Sequence, residues 1–392
     1  MKTLIKALAK PLLSPRISPA ARAELELDQK GLTAQDPGPA SVIAASTAWL
    51  CRAQDQSASH DGGVSRDFSL QKGWATSYPE TTGYIIPTML DLARHYQRED
   101  LAARGQQMLD WFIAIQFADG GFQGGKIDSL PKVPVTFNTG QILLGLAAGV
   151  KQFGDPYRDA MNRAASWLRD SLDDDGCWRK HPTPFAAPGE KAYETHVSWG
   201  LFEAARLSPG QGFGEAGLRQ VDWALTKQAK NGWWDSCCLT MPDAPLTHTL
   251  GYVLRGVLEG YLWSGRPDLL EASIITGKAL LAVQEPSGRL PGRLDKQFKP
   301  AVDWACLTGI VQIAHCWLLL YKATGDKKFL EAAKLGNMYV RKTIRITGNP
   351  DTVGGVKGSF PVNGEYGQWE FLNWAAKFCI DSNLLELEIE GK

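Results

Sequence analysis

The chain has no excess of either charge. Lysine and arginine total 42 and so do aspartate and glutamate, so nothing in the composition recruits a polyanion, and nucleic acid is not an expected partner. Histidine is scarce, with six in 392 residues and no HxxxH or HExxH pair. The seven cysteines contain no CxxC spacing, and Cys237-Cys238 and His315-Cys316 do not space ligands for zinc, so no metal is expected. An odd cysteine count inside apolar segments reads instead as reduced, buried thiols and a cytoplasmic setting. Asp173-Asp174-Asp175 precedes a turn and reads as a solvated corner. No Walker A loop occurs, and no cofactor is expected. No apolar run is long enough to span a bilayer. The first eleven residues, interrupted by Lys6 and Lys10, are too short and broken for a signal peptide, leaving only a peripheral contact through Leu4, Ile5, Leu8 and Leu12.

What the chain does have is repetition. Trp49-Leu50 leads to Gln54 and Asp61-Gly62-Gly63, and Trp111-Phe112 to Gln116 and Asp119-Gly120-Gly121-Phe122. Trp167-Leu168 leads to Leu172 and Asp175-Gly176-Cys177-Trp178, and Trp223 to Gln228 and Asn231-Gly232-Trp233-Trp234. Leu280-Leu281 leads to Gln284 and Gly288-Arg289-Leu290, and a worn sixth copy lies near Tyr339 and Gly354-Gly355. The anchors at 54, 116, 172, 228 and 284 are 62, 56, 56 and 56 residues apart. Such a period marks one supersecondary unit stacked on itself, each unit too small to bury its own apolar face. An apolar content of 44 % supplies a core of that size.

Between the repeated loops lie paired helical segments. The first of each pair is apolar nearly all round: 83–95, 140–153, 196–207, 251–263, 308–321 and 372–380. The second is amphipathic, as in 101–116 with Leu101, Met108, Leu109 and Phe112 on one side. Helices apolar on every face are enclosed by protein, whereas amphipathic ones meet water. The pattern predicts an all-α (α/α)6 toroid of six helical hairpins, with an inner and an outer ring. The first outer helix is 41–54, against which the last inner helix closes. Residues 41–392 form the predicted toroid domain, and the prolines at 11, 15, 19, 37 and 39 predict an irregular arm over 1–40. Gly and Pro at 154–156, 208–210, 265–267 and 324–326 mark short inner-to-outer turns. The returns run to about 20 residues, a length that usually carries function, and all emerge at one end.

That end is the predicted cleft. Tyr78-Pro79-Glu80, Phe137-Asn138, Tyr193-Glu194-Thr195-His196, Thr247-His248, Asp303-Trp304 and Trp369-Glu370 precede the inner helices. Taken singly, Thr, Asn and Glu there are ordinary helix caps; their convergence on one rim points to chemistry. Trp74, Trp233, Trp234 and Trp304 are the expected sugar platforms, with Trp178 and Trp369 also in or beside the loops. Two carboxyls are needed for glycoside hydrolysis, from Glu80, Glu194, Asp235, Asp303 and Glu370. Elimination or epimerisation on a uronic acid needs a proton acceptor and a partner for the sugar carboxylate. Tyr193, His196 and His248, with Asn138, Arg289 and Arg293, could supply them. The leading assignment makes Glu80 with Glu194 or Asp303 the acid/base residues, Tyr193, His196 and His248 the proton-transfer partners, and Tyr78 part of the substrate surface.

The W…Q…DGGF phrase resembles the QW motif of squalene and terpene cyclases and of prenyltransferase repeats. Their activities are not implied. The DxDD acid motif is replaced by Asp173-Asp174-Asp175-Gly176, and Asp303 and Cys306 are followed only by His315 where a zinc site needs a more distant histidine. The Cys-His-Gly motif of lanthionine cyclases is also absent. A closer resemblance is to VpsJ-type bacterial exopolysaccharide-cluster proteins, and more loosely to six-hairpin glycosidases, lyases and sugar epimerases. It is carried by YPETTGY at 78–84, FNTGQ at 137–141, HTLGY at 248–252, CLTG at 306–309 and NWAAKF at 373–378. It implies an oligo- or polysaccharide partner and a glycan-active enzyme: hydrolase, lyase or epimerase. The alternatives are a non-catalytic glycan-binding or assembly factor and a terpene-cyclase-like isoprenoid binder.

Overall fold

The computed structural model describes residues 17–391. The inner ring consists of α3 (Pro79–Tyr96), α5 (Thr136–Phe153), α7 (Thr195–Leu207), α9 (Thr247–Ser264), α11 (Leu307–Thr324) and α13 (Asn373–Glu390). The outer ring is α2 (Pro39–Asp55), α4 (Glu99–Ile115), α6 (Arg158–Ser171), α8 (Phe213–Leu225), α10 (Pro267–Leu281) and α12 (Lys327–Arg341). Consecutive inner helices pack side by side, α13 returns to α3, and α2 packs on α13. The result is an all-α toroid of six hairpins.

Local sequence accounts for where the helices stop and start. Gly265 and Gly325 end α9 and α11 at φ of 72°, a conformation glycine adopts at no steric cost. Pro267 then starts α10, where the missing N–H has no helical partner to lose. Three inner helices, α3, α5 and α9, begin four residues earlier than the apolar pattern predicts, because Pro79–Thr82, Thr136–Thr139 and Thr247–Leu250 are themselves helical turns. That shift places Glu80 and Asn138 on helices and not in loops.

The repeated phrase has a physical role. Gln116 donates its amide to the carbonyl of Gly120 in its own loop and to that of Ala160 on the next outer helix, both at 3.0 Å. Gln284 ties Gly288 to Ala332 in the same way. Asp119 accepts the Gly121 N–H, forming the turn that follows. Gly120, at φ 101°, rests on the next outer helix; a β-carbon there would stand 2.6 Å from the Arg163 carbonyl oxygen. In the worn sixth copy, Gly354 faces the carbonyl of Ala45 on the first outer helix, where a β-carbon would lie at 2.0 Å. The last repeat thus closes onto the first.

Short strands stitch the loops. β1 (Asp67–Ser69) pairs antiparallel with β2 (Gly73–Trp74) and with β5 (Glu370–Leu372), with Phe68 opposite Phe371. β3 (Ala305–Cys306) pairs with β4 (Ser359–Phe360). The sheet β2-β1-β5 joins the first loop to the last.

The expected irregular arm is corrected in part. Pro19–Asp28 is a helix, α1, whose Ser18 side chain accepts the Ala21 N–H. The Ser-Pro start is a cap signal that the proline density around it obscures. Glu24 and Asp28 of α1 hold the buried Lys357 ammonium, with Glu24 at 3.0 Å. The peripheral contact expected of Leu4, Ile5, Leu8 and Leu12 lies outside the described residues. Six of the seven cysteines are buried, and no described helix is long and apolar enough to cross a membrane.

Candidate active site

A cleft of about 660 Å³ opens at the loop-rich end. Its floor is made by the first turns of the inner helices: Glu80 on α3, Asn138 on α5, His248 and Tyr252 on α9, and Trp374 on α13. Its walls come from the loops, with Arg66, Asp67 and Trp74 on one side and Phe185 and Leu239 on another.

Glu80 is the best-placed titratable group. The Tyr78 hydroxyl donates to its Oε2 at 2.9 Å and the Asn138 amide to the same oxygen at 3.0 Å. Both donors meet Oε2, and no side-chain hydrogen bond engages Oε1 among the described residues. Burial raises the carboxyl from 4.5 to about 7, opposed by the Tyr78 hydrogen bond and the Arg66 charge. Glu80 is therefore a carboxylic acid at mildly acidic to neutral pH.

His248 supplies the complementary state. Its Nδ1 lies 2.6 Å from Oε1 of the buried Gln312. A carboxamide oxygen only accepts, so Nδ1 carries the hydrogen and Nε2 keeps a lone pair. Burial lowers the imidazole to about 4, against the Gln312 hydrogen bond. The ring is neutral wherever Glu80 is protonated above that value.

Arg66 ties the loops together. Its guanidinium lies 2.9 Å from Glu370, is paired with Asp67, and stacks over Trp374 at 5.2 Å. Burial opposes its charge, but Glu370 and Asp67 keep it firmly protonated. Burial lifts the Asp67 carboxyl above its usual range despite Arg66. Glu370 is thus engaged by the Arg66 guanidinium. Tyr84 and Tyr252 face each other with hydroxyls 3.4 Å apart, and the Trp374 indole donates to the Tyr366 hydroxyl at 2.8 Å.

The structure gathers Trp74, Tyr78, Glu80, Asn138, Tyr193, His248 and Glu370 around this cleft, as the rim pattern predicts. Tyr193 is corrected as a base. Burial holds its phenol well above 10, so it stays protonated. Glu194 and His196 are corrected as well, since neither lines the cleft. Glu194 is a buried carboxyl raised by burial to about 8, with an unbonded Oε2. His196 lies against Tyr252, ring centres 4.5 Å apart, with Nδ1 on Gln141.

Several other expected site residues are elsewhere. Trp233 and Trp234 are 2 % and 1 % exposed, their indole N–H groups on Asp235 and Thr276, so neither can stack a sugar. Asp235 is an exposed partner of Lys296. Arg289 pairs with Glu285 and with the Asp303 carbonyl on an outer surface. Arg293 is buried against Glu365 and the Ala244 carbonyl. Trp304 is buried, its ring against Gly292 and Gly364, and Trp369 sits at φ 65° beside the sheet outside the cleft lining. Trp178 is buried, with its indole on the Leu168 carbonyl. The sequence pattern missed Arg66, Tyr84, Tyr252, Tyr366 and Trp374. Tyr252 was signalled by its place four residues after His248, one helical turn away on the same face.

No group of three or more His, Cys, Asp or Glu side chains is arranged to hold a metal ion among the described residues. Gly212, Gly214 and Gly217 have the spacing of a dinucleotide fingerprint. However, no strand precedes them, and the Trp263 ring occupies the space at Gly214, so they do not form one.

No protein-family model matches the chain, and no curated protein does. Solved structures do resemble it. One is an unsaturated glucuronyl hydrolase specific for heparin, 13 % identical, with 91 % of this chain and 99 % of that one covered and a TM-score of 0.72. Another is a sugar epimerase from a ruminal bacterium, 12 % identical over 92 % of this chain and 98 % of that one, TM-score 0.70. A third is the cellobiose 2-epimerase of Bacillus thermoamylovorans, 11 % identical over 92 % and 98 %, TM-score 0.66. At these identities the likeness establishes the fold.

Proposed function

We propose that this chain is a glycan-active enzyme of bacterial exopolysaccharide metabolism that hydrolyses a glycosidic bond in the loop-end cleft. The observation that carries this reading is the placement of Glu80: a cleft-lining carboxyl that takes two hydrogen bonds on Oε2 and none on Oε1, and that burial pushes up to about 7. A raised carboxylic acid is what departure of a sugar leaving group requires. Glu80 Oε1 gives its proton to the glycosidic oxygen as the C1–O bond breaks. Water attacks C1 and passes its proton to His248 Nε2, leaving a new C1 hydroxyl. His248 then loses that proton to solvent and Glu80 regains one. Trp74 offers a ring face to the sugar, and the phenols of Tyr84, Tyr252 and Tyr366 line the cleft around it.

The unbonded Nε2 of neutral His248 favours one second reading, sugar epimerisation, in which it removes the proton beside a carbonyl and Glu80 serves as the acid. Fold similarity to both hydrolases and epimerases supports keeping the two together. Turnover of acidic and neutral exopolysaccharide fragments in 18O-water and in deuterated water separates them. Hydrolysis places 18O at C1, whereas epimerisation places deuterium on carbon without cleavage. In either case Glu80→Gln should fold normally and lose on the order of a thousandfold in kcat. Full activity in that variant contradicts the proposal.

A further inference from the structure

Among the described residues, nine large apolar side chains are strongly exposed, and four of them sit on three neighbouring loops at the cleft mouth. They are Leu130 at 77 %, Phe185 at 51 %, Met241 at 43 % and Val133 at 36 %. The loops are joined. The Phe185 ring lies against Gly125, the Ala187 N–H donates to the Leu239 carbonyl at 2.8 Å, and the Thr136 N–H to that of His181 at 3.0 Å. Gly125, Ser129, Phe185 and Leu239 also line the cleft, so the apolar edge continues its wall. Exposed clusters of large apolar side chains on loop tips mark contact surfaces.

The charge around this edge says what covers it. Lys132 flanks Leu130 and Val133, and Lys72 stands on the facing loop. Neither forms an ion pair among the described residues; of the acids on these loops, Asp128 is paired with Lys126, and Asp243 is exposed two residues from Met241. The chain preceding Ile17 is joined to the same end, since Ser18 bonds to Leu70 and to Gln71 on the loop that carries Lys72. Those first sixteen residues hold Lys2, Lys6, Lys10 and Arg16 and no acidic residue, with Leu4, Ile5, Leu8, Leu12 and Leu13 between them. Apolar side chains beside Lys72 and Lys132, with a basic and apolar sequence continuing toward the N-terminus, suit a surface that is apolar beneath and anionic above.

We propose that the loop end docks on an anionic lipid bilayer, with Leu130, Phe185 and Met241 entering the headgroup boundary and Lys72 and Lys132 meeting lipid phosphates. The proposal does not rest on the hydrolytic reading, because docking needs no turnover. The test is sedimentation of the full chain with phosphatidylcholine vesicles, with and without phosphatidylglycerol. Binding is expected only to the anionic vesicles, to weaken with salt, and to fall on the order of tenfold in Leu130→Ser/Met241→Ser. Melting curves verify that this variant is folded. Unbound protein with both vesicles overturns the proposal. So does undiminished binding by the folded double variant, which would leave residues 1–16 alone responsible. A dimer that the same substitutions dissolve also overturns it, by assigning the edge to a second copy of this chain.

Discussion

The Tyr78 hydroxyl donates to Oε2 of Glu80 across 2.9 Å, from the residue just before α3 to its first turn. The bond favours the ionised carboxylate, so it restrains a pKa that burial pushes upward. Tyr78→Phe removes that restraint, and the Glu80 pKa should move above 7. If Glu80 is the acid and His248 the base, wild-type kcat/KM is bell-shaped. It falls as pH drops through about 4, where His248 takes a proton, and as pH rises through about 7, where Glu80 loses one. In Tyr78→Phe the alkaline limb should shift upward while the acid limb stays in place. A pH–rate series on the two proteins checks it.

Glu194 makes a separate prediction about stability. Its carboxyl is buried with one oxygen unbonded, and burial raises it from 4.5 to about 8. Below 4.5 it is neutral in both folded and unfolded chains, and its contribution is fully present. Between 4.5 and about 8 the unfolded chain ionises while the folded one resists, so stability declines, by at most about 5 kcal/mol. Urea unfolding at a series of pH values should show this decline in the wild type and a flatter line in Glu194→Gln. Equal slopes would remove Glu194 from the account.

Ring closure depends on Gly354. Its φ of 79° and its approach to the Ala45 carbonyl leave no room for a methyl group. Gly354→Ala should cost about 3 kcal/mol or more, because both the backbone conformation and the seat of the last loop on α2 are disturbed. Denaturant midpoints measure this. A loss under about 1 kcal/mol would mean that the last repeat does not depend on this contact.

The architecture was readable because the repeat is physical: each Gln joins a loop to the next outer helix, and each loop glycine touches that helix. Glu80, Tyr78, Asn138 and His248 were readable because residues beginning an inner helix face the ring's mouth. The failures at Asp303, Arg289, Trp233 and Trp234 share one cause. A long loop has a side toward the cleft and a side away from it, and spacing does not tell which. Asp303 and Arg289 meet each other on the outer side. Trp233 and Trp234 look like platforms in sequence, yet their rings are buried and their N–H groups are satisfied by Asp235 and Thr276. Arg66 was missed because its partner Glu370 is 304 residues away and meets it only once β1 pairs with β5.

The central claim is a proton resident on Glu80, and it can be read without knowing the substrate. Carboxyl carbons in 13C-labelled wild type and Glu80→Gln would be titrated by NMR, and the resonance missing from the variant assigned to Glu80. The account predicts a midpoint near 7 for that signal. A midpoint near the ordinary 4.5 would show a carboxylate already ionised at neutral pH, with no proton to give.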